Sequence, residues 1–168
     1  MIDRPGRSKP RFTEDLTSTV TNGILKQLKE IEHSKLTRGL AGGACGGDII
    51  FHELCLSRGI ATEIYLSKSI KEFKDESVSY AGNNWIERFD RLLDQLPYKI
   101  LDSSHSSSAN NLWEQTNTWM INEAMKMGNN RFTLMALWDH GKGDGKGGTA
   151  DIIEVCSTLK QKISIIDL

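Results

Sequence analysis

The sequence predicts an open α/β fold with a mainly parallel sheet flanked by helices. Three observations carry this: strand-like and helix-like segments alternate along the chain, two glycine-rich loops each join an apolar run to a helix, and the longest apolar run, RFTLMALWD (131–139), has the pattern of a parallel strand covered on both faces. With 168 residues, 38% hydrophobic and 26% charged, the chain has the composition of one globular domain, residues 1–168, with one sizeable core.

The elements follow in order. After MIDRPGRSKPRF, the residues Leu16, Val20, Ile24, Leu28 and Ile31 recur every three or four positions, which predicts an amphipathic helix with Thr13 as its N-cap. LTRGLAG (36–42) reads as a short buried strand entering the first glycine loop. IIFHELCLSRG then continues as a helix closed by Gly59. TEIYL (62–66) is a second strand, and Ile86, Phe89, Leu93 and Leu96 mark a helix over 83–96. YKILD (98–102) is a third strand, SSHSSSANN (103–111) a surface loop, and Leu112, Trp113, Trp119, Met120 and Met127 belong to a helix stopped by Gly128. The strand at 131–139 should lie deepest in the sheet. It runs into HGKGDGKGGT (140–149), a helix using Ile152, Ile153, Cys156 and Leu159, and a last strand KISIID. Folds of this kind usually begin with a strand, whereas this chain goes directly into a helix. The expected sheet therefore lacks its first strand or takes it from a partner, such as a second copy, or from an upstream region outside this sequence.

Charge and cysteine usage narrow the function. The 21 basic and 22 acidic residues leave a net charge of −1, so no broad positive field favours nucleic acid or an anionic membrane as the partner. Three cysteines without CxxC spacing fit reduced thiols and a cytoplasmic location, and no window is long and apolar enough to span a membrane. No metal or cofactor is called for.

The two loops carry the candidate chemistry. A glycine-rich turn between a buried strand and a helix points backbone N–H groups at a ligand, and the helix N-terminus adds about half a positive charge. GGACGGD places glycines at Gly42, Gly43, Gly46 and Gly47, without the lysine–serine pair of a P-loop or GxGxxG spacing. The alternative is that these glycines serve only tight turns and close packing. Asp48 can cap its helix or bind a ligand hydroxyl. His52 is one turn further on; it reads as structural or merely exposed before catalytic. Cys45 lies beside a helix N-terminus that would lower its pKa, but no base for a thiolate nucleophile is recognisable nearby, and small size in a tight loop explains the residue. In the second loop Gly147, Gly148 and Thr149 can surround a phosphate, with Lys142 and Lys146 adding charge, or form only a solvated loop. Asp139 and His140 stand just past a strand end, where such folds place functional side chains. Trp85, Trp113, Asn117 and Trp119 can offer stacking surfaces for a base or pack in the core, with Arg88 as auxiliary charge.

LTRGLAGGACGGDIIFHELCLSRGIATEIYL and WDHGKGDGKGGTADIIEVCSTLKQKISIID together resemble the SLOG superfamily, a Rossmann-like group that includes the DNA-processing protein A domain and the LOG-type phosphoribohydrolases. The start MID–PGR–PRF, the GGACGGD loop, the segment with Ser77, Val78, Trp85, Arg88 and Phe89, and the GGTAD loop are similar to SLOG-like domains found beside TIR, cyclase or tetratricopeptide modules in bacteria. The resemblance spans nearly the whole chain. It implies a nucleotide or nucleotide-derived ligand held by both loops, by a sensor or a sequestering protein in a defence-related setting. The LOG enzymes carry a PGGxGTxxE pattern whose glutamate assists cleavage of an N-glycosidic bond; here Ile152 stands at that position, with Asp151 one residue early and Glu154 two late. The resemblance thus implies gripping before turnover. The rival is an N-glycoside hydrolase or transferase in which Asp151 or Glu154 stabilises an oxocarbenium-like transition state.

Overall fold

A computed structural model of the chain describes residues 1–32, 38–102, 112–128, 131–141 and 146–168. Among the described residues all strand pairing is parallel, in one three-stranded and one two-stranded sheet flanked by helices, the mixed α/β arrangement of an open Rossmann-like fold. The chain divides into two compact units, Met1–Ile100 with Leu168, and Leu101–Asp167.

In the first unit, α1 (Thr17–Glu32) is followed by β1 (Gly39–Ala41), α2 (Gly47–Ser57), β2 (Thr62–Leu66), α3 (Ile70–Ser77), α4 (Asn83–Gln95) and β3 (Tyr98–Ile100). The helix expected from Thr13 opens instead with a 3-10 turn, Glu14–Leu16, and Thr13 makes no side-chain capping bond. Val20, Ile24 and Leu28, one helical turn apart, are the buried stripe of α1. The strand order is β1-β2-β3, with Gly39 opposite Thr62 and Ile64 opposite Tyr98. Having a hydrogen-bonded neighbour on each side, β2 is buried at all five positions. Ile64 and Leu66 belong to a core with Ile49 and Ile50 of α2, Phe73 of α3, and Trp85, Phe89 and Leu92 of α4. Each such side chain contributes about 1.5–3 kcal/mol relative to exposure. The other face of β2 carries Glu63, 5% exposed, which is held by Arg38 at 3.3 Å, Lys99 at 3.4 Å and the Tyr65 hydroxyl at 3.0 Å. A buried carboxylate needs such partners.

Helix α3 has no counterpart among the elements read from the sequence. Its start carries a recognisable signal, S-x-x-E: the Ser69 hydroxyl accepts from the Glu72 N–H as an N-cap and donates to the Glu72 carboxylate.

The second unit contains α5 (Leu112–Met127), β4 (Thr133–Trp138), α6 (Thr149–Thr158) and β5 (Lys162–Asp167). β4 and β5 pair over their full length, Thr133 opposite Lys162 and Trp138 opposite Asp167. Expected to be the deepest strand, β4 is half-buried except at Ala136, because among the described residues its only hydrogen-bonded neighbour is β5; β2 takes that central place. The loop read at 103–111 lies outside the described residues. No helix among the described residues is long and apolar enough to cross a membrane.

Candidate glycine-loop sites

The first loop turns the chain from β1 into α2, and the rest of its own unit packs tightly around it. Residues Gly43 to Gly46 are buried. Gly46 has φ +103°, and a Cβ there would lie 2.8 Å from Phe12 Cε1 and 3.0 Å from the Ile2 nitrogen, so only glycine fits. A Cβ on Gly43 would meet Phe89 at 2.7 Å, and one on Gly42 would meet Asp48 Oδ2 at 2.6 Å. The loop N–H groups of Ala44 and Cys45 already have acceptors, Asp48 Oδ2 at 3.2 Å and the Ser77 carbonyl at 3.0 Å. Asp48, in the first turn of α2, therefore folds its carboxylate back over the loop. With negative charge lying there, the turn suits ligand hydroxyls better than a bare phosphate.

His52 holds the loop from below. Its ring is fully buried, with Nε2 2.9 Å from the Gly42 carbonyl and Nδ1 2.8 Å from the Thr62 hydroxyl. Burial lowers its pKa from the ordinary 6.5, with the Gly42 carbonyl and Asp48 opposing more weakly. The neutral ring then donates Nε2–H to Gly42 and accepts at Nδ1 from Thr62, a tautomer assigned from the hydrogen-bond network. This loop-holding role was not read from the sequence, although a histidine inside the apolar run IIFHELC must find partners when buried.

Cys45 is also fully buried, and its thiol is pushed up by burial rather than lowered by the helix N-terminus as the sequence suggested. Its Sγ–H donates to the Tyr80 hydroxyl at 3.2 Å, which donates to the Ile2 carbonyl at 2.7 Å, while the Ile2 N–H donates to the Cys45 carbonyl at 2.9 Å. This closed ring seals the loop. Cys55, further along α2, is raised by burial to about 12.

The second loop is built by the same two devices. Asp151, in the first turn of α6, accepts from the Gly147 N–H at 3.0 Å, and Asn117 Nδ2 of α5 donates to the Gly147 carbonyl at 3.0 Å. Gly147 has φ +81°, and a Cβ there would meet the Glu114 nitrogen at 2.7 Å and Trp113 Cβ at 2.8 Å. In contrast to the first loop, Lys146 is exposed while Gly148 and Thr149 are half-buried. Glu154, the alternative acid, is exposed on α6. Lys142 lies outside the described residues.

Past the end of β4, Asp139 Oδ1 accepts from the Gly141 N–H at 3.0 Å, closing a local turn. His140, at φ +58°, sets Nε2 2.7 Å from Asp167 Oδ1 and its ring centroid 4.7 Å from that of Trp138. Arg88 forms a two-pronged ion pair with Glu53, at 2.9 and 2.6 Å, and stacks 3.9 Å from the Trp85 ring centroid. That pairing ties α4 to α2. Trp85 itself is buried and donates Nε1–H to Glu14 at 3.1 Å. No protein-family model matches the chain, and no curated protein matches it.

Proposed function

We propose that this protein is a SLOG-like domain that binds a nucleotide or nucleotide-derived signalling molecule, as a sensor or sequestering protein, without turning it over. The observation that supports this reading is the repeated loop device. Between β1 and α2, and again between β4 and α6, a glycine turn is locked by an aspartate from the following helix and by a side-chain donor on a glycine carbonyl. Strand carboxyl ends are where open α/β sheets bind ligands. Each loop is a candidate site within its own unit: Asp48 in the first suits sugar hydroxyls, and Lys146 beside Gly148 and Thr149 in the second suits a phosphate. Binding without turnover is favoured because Asp151 is spent on Gly147 and Ile152 replaces an acid in the next position.

The test incubates the purified protein with mono-, di- and cyclic nucleotides and NAD-derived compounds, follows thermal stability, and recovers the ligands for mass spectrometry. Intact ligand with a raised melting temperature is the expected result. Release of free base would replace binding by hydrolysis, and no shift with any compound would remove the reading.

A further inference from the structure

A strained, exposed aromatic ring stands just past the end of β4. Among the described residues, only His140 and Lys160 combine a side chain other than glycine's with positive φ, at +58° and +54°. Lys160 has a local reason: it follows the C-terminus of α6, and its N–H donates to the Ser157 carbonyl at 2.9 Å. His140 ends no helix. A left-handed backbone is unfavourable for a residue with a Cβ and persists where the surroundings hold it, most often at a functional position.

What holds His140 is its ring. Nε2–H donates to Asp167 Oδ1 at 2.7 Å, and the ring centroid lies 4.7 Å from that of Trp138, with 39° between the planes. Asp167 stands opposite Trp138 in the β4–β5 register, so acid and indole meet the histidine from neighbouring strands. The indole is tied down in turn, its Nε1–H donating to the Gly141 carbonyl at 3.0 Å. The carboxylate on Nε2 fixes the tautomer, an assignment made from the hydrogen-bond network. Yet the side chain so positioned is 60% exposed, and an ion pair in that setting adds little to stability. The arrangement achieves something else: an immobilised aromatic face, backed by a second ring, presented to solvent where open α/β sheets take their ligands.

Every nucleobase has a π-face, and stacking on a ring already held in place carries little ordering cost. Asp139 precedes the histidine and Asp167 bonds it, so the local charge disfavours a phosphate and leaves the base as the part of a nucleotide that fits. Lys146, Gly148 and Thr149, which suit the phosphate, follow in the same connection between β4 and α6. We infer that His140 is a stacking platform for the base of a bound nucleotide, with Trp138 and Asp167 as positioning residues; this rests on the reading of the protein as a nucleotide binder.

AMP, GMP, UMP, cyclic AMP and NAD are the probes, with ribose 5-phosphate as the compound lacking a base. Each is titrated at constant ionic strength while the His140 ring protons are followed by NMR. Any of the five that raises the melting temperature should move those protons upfield, as a ring stacked on them does, and ribose 5-phosphate should leave them in place. A raised melting temperature with unmoved His140 protons overturns the platform and leaves nucleotide binding standing, whereas no thermal shift with any compound removes both. His140→Gly and His140→Asn delete the ring and accept the backbone conformation. Both should keep the urea midpoint of the parent and weaken the stabilising nucleotide about tenfold. Unchanged affinity in the two variants overturns the proposal, and a lower urea midpoint beside that unchanged affinity assigns the ring to the fold instead.

Discussion

The first and second glycine loops share a wiring diagram but not an environment. In each, an aspartate at the start of the following helix accepts an N–H from the residue four positions back, Ala44 for Asp48 and Gly147 for Asp151. A helix side chain also donates to a glycine carbonyl in both, His52 to Gly42 and Asn117 to Gly147. Around the first loop, however, Ile2, Phe12, Ser77 and Tyr80 close a buried shell, whereas Lys146 of the second is exposed and Gly148 and Thr149 are half-buried. The same hydrogen bonds therefore serve the core in one place and the surface in the other. A glycine-rich motif announces a tight turn; what covers the turn determines whether a substitution costs folding or only recognition.

The widest separation is expected at the glycines themselves. Gly46→Ala must place a side chain at φ +103° against Phe12 and the Ile2 backbone, and should lower unfolding free energy by about 3–4 kcal/mol. Gly148→Ala, at φ −82° and ψ 178°, enters backbone that any residue adopts and should stay within about 0.5 kcal/mol. Urea unfolding of both variants measures this, and equal losses would break the contrast. Next come the donors. His52→Ala removes the donor to the Gly42 carbonyl and opens a buried cavity, while the Thr62 hydroxyl keeps the Gly39 carbonyl at 3.3 Å, and should cost about 2–3 kcal/mol, against about 1 kcal/mol for Asn117→Ala in its half-buried setting. If the asparagine variant proves as damaging, the second loop belongs to the core as well.

The smallest effect is one of pH. Because burial lowers the His52 pKa from 6.5, the ring is neutral in folded and unfolded chains above that value and contributes no pH dependence there. Acidification below 6.5 protonates the unfolded chain first, so stability falls as pH drops, by at most about 1.4 kcal/mol per unit, until the native ring itself titrates. A His52→Gln variant should show a shallower acid decline than the parent in unfolding measured across this range. Matching slopes would exclude His52 as the source; Asn117, which does not titrate, gives the second loop no such dependence.

Period and punctuation were legible where local physics decides them. TEIYL and KISIID are strands over the residues their composition suggested, α4 follows the spacing of Phe89 and its neighbours, and Gly59 ends its helix region with φ +67°. Helix α3 was missed because its eight residues are largely polar, leaving the S-x-x-E cap as the main signal. Of the candidate site, the turns and their aspartates were readable from GGACGGD and GGTAD. The partners of those turns were not: Ser77, Tyr80 and Ile2 lie tens of residues from Cys45, and neither periodicity nor spacing reports contacts made across such separations.

By itself the sequence determined the alternation of strands and helices, the positions of both glycine turns and the near-neutral charge, because backbone conformational preference and apolar period act within a few residues. The tertiary structure alone decided that β2 rather than β4 is the buried strand, that Arg88 is paired with Glu53, and that Cys45 is a buried thiol with a raised pKa. Those outcomes depend on which surfaces exclude water and which charges meet, and desolvation and ion pairing are set by neighbours distant in sequence.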